Sequence, residues 1–76
     1  MTGQPQAKQN PRQLTAREVQ VLTLIADGRT SSEIAVALGL SFKTVQTHRA
    51  RIMAKVAVHN TALLVRAAIR LGLIEP

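Results

Sequence analysis

Cysteine is absent from this 76-residue sequence, and its aromatic content is a single phenylalanine, Phe42. The absence of cysteine excludes a disulfide, a zinc site with thiolate ligands and a thiol nucleophile. Without tryptophan or tyrosine, a core has to be packed from Leu, Ile, Val and Ala. A chain this short forms one domain at most and buries only roughly 60% of the surface of its unfolded form. The core must therefore be small.

Acidic residues are also scarce. Four of them stand against ten Lys and Arg, which gives a formal net charge of +6 and an isoelectric point near 11.6. This excess predicts a polyanionic partner, although charge that only keeps a domain soluble would produce the same composition. The position of the charges along the chain has to decide between a polyanionic partner and a role in solubility alone.

Long apolar stretches are missing as well. No uninterrupted run approaches the roughly 18 residues of a membrane span, and residues 1–11 lack the apolar segment of a signal peptide. Together with the absence of cysteine, this predicts a cytoplasmic protein with no membrane partner.

The first residues differ in composition from the rest. Residues 1–13 hold hardly an apolar side chain, so they cannot offset the entropy cost of ordering and are predicted to be a flexible tail or linker. Residues 14–76 are predicted to form the folded domain.

Four helices are predicted in that domain, each preceded by a residue that can cap its first turn. Thr15 and Thr30 both stand three residues before a glutamate, which is the capping-box pattern, and Ser41 and Asn60 can cap the third and fourth helices. No segment alternates with period two over the length of a strand. The predicted fold is therefore all-α, a compact four-helix bundle whose helix ends are marked by Gly28, Gly39 and Gly72.

The second and third helices match a helix-turn-helix. A short helix, the turn Gly39-Leu40-Ser41 and a longer helix form the arrangement in which the second helix of the pair enters the major groove of DNA. Residues 41–56 contain four cations and no acid, whereas three of the four acids lie in the first two helices. This asymmetry favours phosphate binding by Lys43, Arg49, Arg51 and Lys55.

Helical periodicity divides the third helix into two sides. At about 100° per residue, one side carries the apolar residues that should face the core: Val45, Ile52 and Val56. The opposite side is predicted to contact bases. On that side, a glutamine could form paired hydrogen bonds to an adenine edge, a threonine could use its hydroxyl or its methyl, and an alanine could touch a thymine methyl. These three residues are Gln46, Thr47 and Ala50.

The fourth helix is apolar nearly all round, with Arg66 and Arg70 as its charges. Such a helix is buried on more than one side, and we expect the second side to meet another copy of the chain. The alternative is that Leu73 and Ile74 fold back over it. The predicted homodimer interface consists of Leu63, Leu64, Ala67, Ala68 and Leu71.

No catalytic or metal site is predicted. His48 and His59 lie on different elements with no acid near enough to complete a set of three or four ligands. The serines have no partner base at a plausible spacing and are interpreted as cap or loop residues. We therefore expect neither an enzyme nor a cofactor.

Ordered motifs run through residues 14–56: Leu14-Thr15-x-Arg17-Glu18, Leu22-x-x-Ile25-Ala26-x-Gly28, Glu33-Ile34-Ala35-x-x-Leu38, Ser41-x-x-Thr44-Val45-x-x-His48 and Ile52-x-x-Lys55-Val56. This pattern closely resembles the LuxR-type DNA-binding domain, and the resemblance covers residues 14–74. The His48-Arg49 pair and the run Ile52-Met53-Ala54-Lys55 are most similar to the FixJ and NarL branch, in which the domain is the output module of a two-component response regulator.

The resemblance implies that helices 2 and 3 bind double-stranded DNA and that helix 4 pairs two subunits. It also implies an upstream receiver or sensor domain that gates this pairing, and RNA polymerase as a further partner. The base-facing positions implied by the family agree with the three residues derived above. The predicted phosphate-contacting residues are Ser41, Lys43, Thr44, His48, Arg49, Arg51 and Lys55.

Two positions depart from the family pattern. Most members have Lys or Arg where this chain has Gln46, so the bases read there are expected to differ. Most have glycine where this chain has Ala57, so helix 3 is expected to run longer or to end less sharply.

Two functions remain open on the sequence alone. The first is a transcription regulator, or its output domain, that binds a specific duplex sequence. The second is a protein-interaction module that keeps the helix-turn-helix scaffold but binds DNA weakly or not at all. The basic side of the third helix favours the first.

Overall fold

The computed structural model describes residues 13–74, which form four α-helices and contain no strand. Helix α1 spans Ala16–Ala26, α2 spans Ser31–Leu38, α3 spans Phe42–Val56 and α4 spans Thr61–Arg70. The all-α prediction is confirmed. The tail predicted over residues 1–13 lies, except for Gln13, outside the described residues, so the domain boundary stays a prediction.

The predicted caps are present at the start of every helix. Thr15 accepts a hydrogen bond from the Glu18 amide at 3.0 Å while the Glu18 carboxylate accepts one from the Thr15 amide at 2.9 Å, and Thr30 repeats this box with Glu33. Ser41 and Asn60 each accept a hydrogen bond from the backbone amide three residues later. Each cap satisfies a donor that the helix itself cannot, which contributes about 1 kcal/mol.

The core consists of aliphatic side chains from all four helices, and the sole aromatic residue stays outside it. Phe42 is 53% exposed. Every large member of the core is therefore a Leu, Ile or Val, as the composition predicted. The buried apolar residues are Leu14, Val21, Leu22, Ile25, Ile34, Ala35, Val45, Ile52, Val56, Leu64, Ala67 and Ala68.

Helix α3 is the central element and packs against α1, α2 and α4. The three residues predicted to face inward, Val45, Ile52 and Val56, are all buried. Burying each of these side chains contributes about 1.5–3 kcal/mol, so turning α3 about its axis would lose several kcal/mol at once. The burial of these three residues therefore fixes the orientation of α3 about its own axis, and so determines which of its side chains are exposed.

Three of the five residues in the dimer interface predicted for helix α4 are not on the surface of the domain. Leu64, Ala67 and Ala68 are buried in the core of the single chain, with exposed fractions of 2% or less, and therefore present no surface to a second copy. Leu73 and Ile74 pack partly against the same core, as the alternative held. The apolar residues of α4 are thus largely absorbed by its own domain, and its outward side consists of Ala62, Leu63, Arg66, Ile69 and Arg70.

The observed end of α3 also differs from the prediction that this helix runs longer or ends less sharply. The helix does not run on past Val56, because Ala57 adopts the left-handed conformation with φ 64° and ψ 46° that usually belongs to glycine. The Val58 amide then donates to the Met53 carbonyl at 3.1 Å, which closes the last turn. An alanine in this conformation costs roughly 1–2 kcal/mol relative to glycine.

Glu18 is the buried charged residue of the described chain, with 3% of its surface exposed. Its carboxylate accepts a hydrogen bond from Lys55 at 2.7 Å, which ties the first turn of α1 to the last turn of α3. Burial alone raises the pKa of Glu18, but the hydrogen bond and charge of Lys55 and the hydrogen bonds from Thr15 outweigh it. The pKa of Glu18 therefore lies below its ordinary value of 4.5.

The strained residue at the end of α3 predicts that Ala57→Gly stabilises the domain. We expect the free energy of unfolding to rise by about 1 kcal/mol, since relief of the left-handed alanine exceeds the added entropy of the unfolded chain. Thermal unfolding should shift upward by about 4–8 °C. The control is Ala54→Gly, at an exposed helical position in the last turn of α3, which should destabilise by up to about 1 kcal/mol. An unfolding temperature for Ala57→Gly at or below that of the parent would contradict the assignment of strain.

The buried ion pair predicts a pH dependence of stability. Because the pKa of Glu18 is lowered by folding, its contribution is present above the ordinary pKa and is lost as the pH falls through the lowered value. Glu18→Gln should unfold about 2 kcal/mol more easily than the parent at neutral pH, and this difference should shrink as the pH falls below about 4.5.

Chemical denaturation across this pH range measures the effect. Glu33→Gln is the matched control because Glu33 holds the same capping position in an exposed box, and so separates loss of the buried pair from loss of a cap. A difference between Glu18→Gln and the parent that persists undiminished in acid would contradict the account.

Candidate nucleic-acid interface

The predicted base-contacting residues lie together on the exposed side of α3. Because Val45 and its two buried partners turn inward, Gln46, Thr47 and Ala50 are all exposed. Lys43 and Arg51 are exposed on the same helix, and each lies four residues from Thr47, on the same side of the helix. The structure therefore groups small and polar side chains with flanking cations, as the periodicity predicted.

The first turn of α3 adds backbone and hydroxyl donors to this side. The Ser41 hydroxyl donates to the Thr44 hydroxyl at 2.9 Å, and the Thr44 amide donates back to Ser41 at 3.0 Å. Both residues are exposed, and this turn contains no acidic side chain. The amino end of a helix carries partial positive charge and attracts anions, so both hydroxyls lie where a phosphate would be stabilised.

Thr47 already uses its hydroxyl proton. Its Oγ1 donates to the Lys43 carbonyl one turn earlier, at 3.1 Å. A threonine held in this way retains its methyl group and the lone pairs of its oxygen for a partner. Of the two roles predicted for Thr47, the methyl contact and an accepted hydrogen bond fit this geometry.

Gln46 is linked to the helix before the turn. The Ser31 hydroxyl, in the first turn of α2, donates to the Gln46 carboxamide oxygen at 2.6 Å. Sequence reasoning missed Ser31, because a contact between residues this far apart depends on how α2 and α3 cross. This hydrogen bond links α2 to an exposed side chain of α3 that the sequence predicts to contact bases.

His48 and Arg49 are half-buried rather than fully exposed. The Arg49 guanidinium donates to the Thr61 hydroxyl at 2.7 Å, which connects α3 to the first residue of α4. The Nδ1 atom of His48 is buried and has no hydrogen-bond partner within residues 13–74. Both residues border the exposed side of α3.

Lys55 has a different environment from the other cations of α3. Its ammonium group is bound to buried Glu18, so the structure gives this side chain a protein partner in place of the phosphate predicted from sequence. Among the described residues, the two ion pairs are Lys55–Glu18 and Arg29–Asp27, so no acid of residues 13–74 pairs with Lys43 or Arg51. The free cations of α3 therefore concentrate toward its amino-terminal half and middle.

Membrane spanning requires a long apolar helix and metal binding requires several clustered ligands, and both requirements can be compared with residues 13–74. No single helix there is long and apolar enough to cross a membrane; α3 and α4 meet that description only as a pair, which bends by 55° at the break between them. Over the same residues, no group of three or more His, Asp or Glu side chains is arranged to hold a metal ion.

Known proteins resemble this chain in both sequence and structure. Residues 12–68 match the luxR family of bacterial regulatory proteins. The response regulatory protein YgeK of Escherichia coli is 55% identical over 60 residues, a match that covers 79% of this chain and 41% of YgeK. YgeK thus places the resemblance among response regulators, as the motifs around His48 and Ile52 predicted.

Two solved structures share the fold. The response regulator ChrA of a heme-sensing two-component system superposes with a TM-score of 0.79 at 34% identity, over 91% of this chain and 35% of that one. VqmA from Vibrio cholera, solved as a complex with a ligand and DNA, superposes with a TM-score of 0.74 at 35% identity, over 79% of this chain and 26% of that one.

The chain spans less than half the length of each of these three relatives. The family match covers most of the chain, includes the whole helix-turn-helix, and concerns regulators and not enzymes. This chain therefore belongs to the luxR family of bacterial regulatory proteins, a family of DNA-binding transcription regulators.

Proposed function

We propose that the exposed side of α3 enters the major groove of duplex DNA, with base contacts from Gln46, Thr47 and Ala50. The observation that carries this proposal is the exposure of these three residues beside cations that have no acidic partner in residues 13–74. The major groove admits an α-helix, and small side chains at its centre let the helix approach the base edges closely.

Phosphate contacts flank this side. Lys43 and Arg51 supply exposed charge, the first turn of α3 supplies hydroxyls and partial positive charge, and His48 and Arg49 lie at its border. These contacts give affinity without sequence choice. Lys55 is left out because its charge is already neutralised by Glu18. The proposed phosphate-contacting residues are Ser41, Lys43, Thr44, His48, Arg49 and Arg51.

We also propose that the chain acts as the output domain of a longer cytoplasmic response regulator. YgeK and ChrA are named as response regulators, and each is more than twice as long as the region that matches. A receiver or sensor domain upstream would then control access of α3 to DNA, and RNA polymerase would be the partner through which binding alters transcription.

Pairing of two copies would use the outward side of α4. Leu63 and Ile69 are 44% and 37% exposed and Leu71 is half-buried, while Arg66 and Arg70 lie between them. An interface this small buries less than about 1,200 Å² and is weak by itself. We therefore expect a monomer in dilute solution that pairs only when two half-sites, about 34 Å apart, hold two copies side by side.

A protein-interaction module with little DNA binding is the competing function. Its α3 would not need free cations on an exposed side, and its binding to duplex DNA would depend little on salt. The salt dependence of DNA binding separates the two functions because each phosphate contact releases a counterion.

Two lysines of α3 should respond differently to the loss of their charge. Lys43→Ala should weaken binding to every duplex sequence by a similar factor and reduce the slope of log affinity against log salt by about 0.9, since one phosphate contact is lost. Lys55→Ala removes the same charge but should leave the slope unchanged, and should lower the free energy of unfolding by about 2 kcal/mol because Glu18 loses its partner.

Fluorescence anisotropy over a range of salt concentrations, with circular dichroism as the folding check, measures both effects. Equal slopes for Lys43→Ala and the parent would remove Lys43 from the phosphate contacts. A slope reduced equally by Lys55→Ala would show that Lys55 leaves Glu18 to bind phosphate. A parent protein with no salt dependence would support the interaction module.

A charge on the outward side of α4 should prevent two copies from pairing on DNA. Leu63→Glu should abolish cooperative binding to a duplex with two half-sites and leave binding to a single half-site nearly intact. Gln20→Glu on the exposed side of α1 adds a negative charge to the same chain and is the charge-matched control, which should keep the cooperativity. If folded Leu63→Glu binds two half-sites as cooperatively as the control, α4 is not the pairing surface.

A further inference from the structure

We infer that Ser31 is a specificity-determining residue that sets which base Gln46 reads. The inference rests on the proposed entry of α3 into the major groove and names a residue outside α3. Its basis is the 2.6 Å hydrogen bond from the Ser31 hydroxyl to the Gln46 carboxamide oxygen.

A glutamine carboxamide carries one acceptor oxygen and one NH₂ donor on the same carbon, in one plane, so turning the group toward a partner of the oxygen also moves the NH₂ group. When the oxygen is turned toward α2 by Ser31, the NH₂ group is directed away from α2. Pairing with adenine requires both groups at once, because adenine presents an acceptor and a donor in the major groove. The bond from Ser31 therefore disfavours the paired adenine contact that an unrestrained glutamine would make.

The donor that remains selects a different base. Two bases present acceptors and no donor in the major groove: thymine presents one acceptor, O4, beside its methyl group, whereas guanine presents two, N7 and O6, which can both accept from one NH₂ group. A glutamine that presents only its NH₂ group is complementary to this edge. Gln46, held by Ser31, is thus a reader of guanine.

The environment at the interface strengthens this restraint. Gln46 is exposed and Ser31 is half-buried in the free chain, so water competes with their hydrogen bond there. Docking into the groove removes that water, and a hydrogen bond in a drier, less polarisable setting is stronger. The restraint therefore acts most when the base is being read.

Ser31 begins α2, where a hydroxyl could instead touch a phosphate at the amino end of that helix. The two roles have different signatures. Loss of a phosphate contact weakens binding to all sequences alike, whereas loss of the restraint changes the ratio of affinities for guanine and adenine at one position.

The experiment selects duplexes bound by the 76-residue chain, identifies the position whose preference disappears in Gln46→Ala, and measures affinity for guanine and adenine there. The parent should favour guanine by about tenfold. Ser31→Ala should reduce the guanine-to-adenine ratio by about the same factor, and Ser31→Thr, which keeps the hydroxyl, should retain it. Ser32→Ala is the matched control on the exposed neighbouring serine and should leave the ratio unchanged.

The double variant Ser31→Ala with Gln46→Ala should show the same base preference as Gln46→Ala alone, because the restraint has nothing left to act on. An unchanged ratio in Ser31→Ala, uniform weakening on all duplexes, or a parent preference for adenine would overturn the inference while the DNA-binding proposal stands. A parent chain that selects no duplex sequence would overturn both.

Discussion

The burial of Val45, Ile52 and Val56 is the constraint on which the functional surface depends. These side chains lie along one side of α3 and pack among the other helices, so α3 cannot turn without exposing them to water. If the apolar residues of α3 were moved by one position along the sequence, the buried side would turn by about 100° and polar groups would be buried instead. The grouping of Gln46, Thr47 and Ala50 on the outer side is a consequence of what is buried on the inner side.

The two ends of α3 are held by different means. At its start, the Ser41 cap and the turn after α2 fix the direction of the helix, and Ser31 connects α2 to the exposed side. At its end, Lys55 reaches the buried carboxylate of Glu18, and Ala57 accepts a strained conformation that stops the helix. In a domain with a small aliphatic core, such local restraints contribute a large share of the rigidity that a groove-binding helix requires.

Much of this fold could be predicted from the sequence, because caps and helical periodicity act over a few residues. The four caps and the inward residues of α3 were confirmed for that reason. Contacts between helices were not predictable in the same way: the partners of Gln46 and Lys55 depend on how helices cross. In α4, small apolar residues such as Ala67 have the same appearance in sequence whether they pack in their own core or against another chain.

The central claim is that the exposed side of α3 lies in the major groove. NMR of the isotope-labelled chain bound to a selected duplex tests it directly, because a methyl group within contact distance of DNA gives intermolecular nuclear Overhauser effects to nearby base protons. The account predicts such effects from the Thr47 and Ala50 methyl groups to major-groove base protons. Effects confined to minor-groove or sugar protons, or arising from α4 instead of α3, would contradict it.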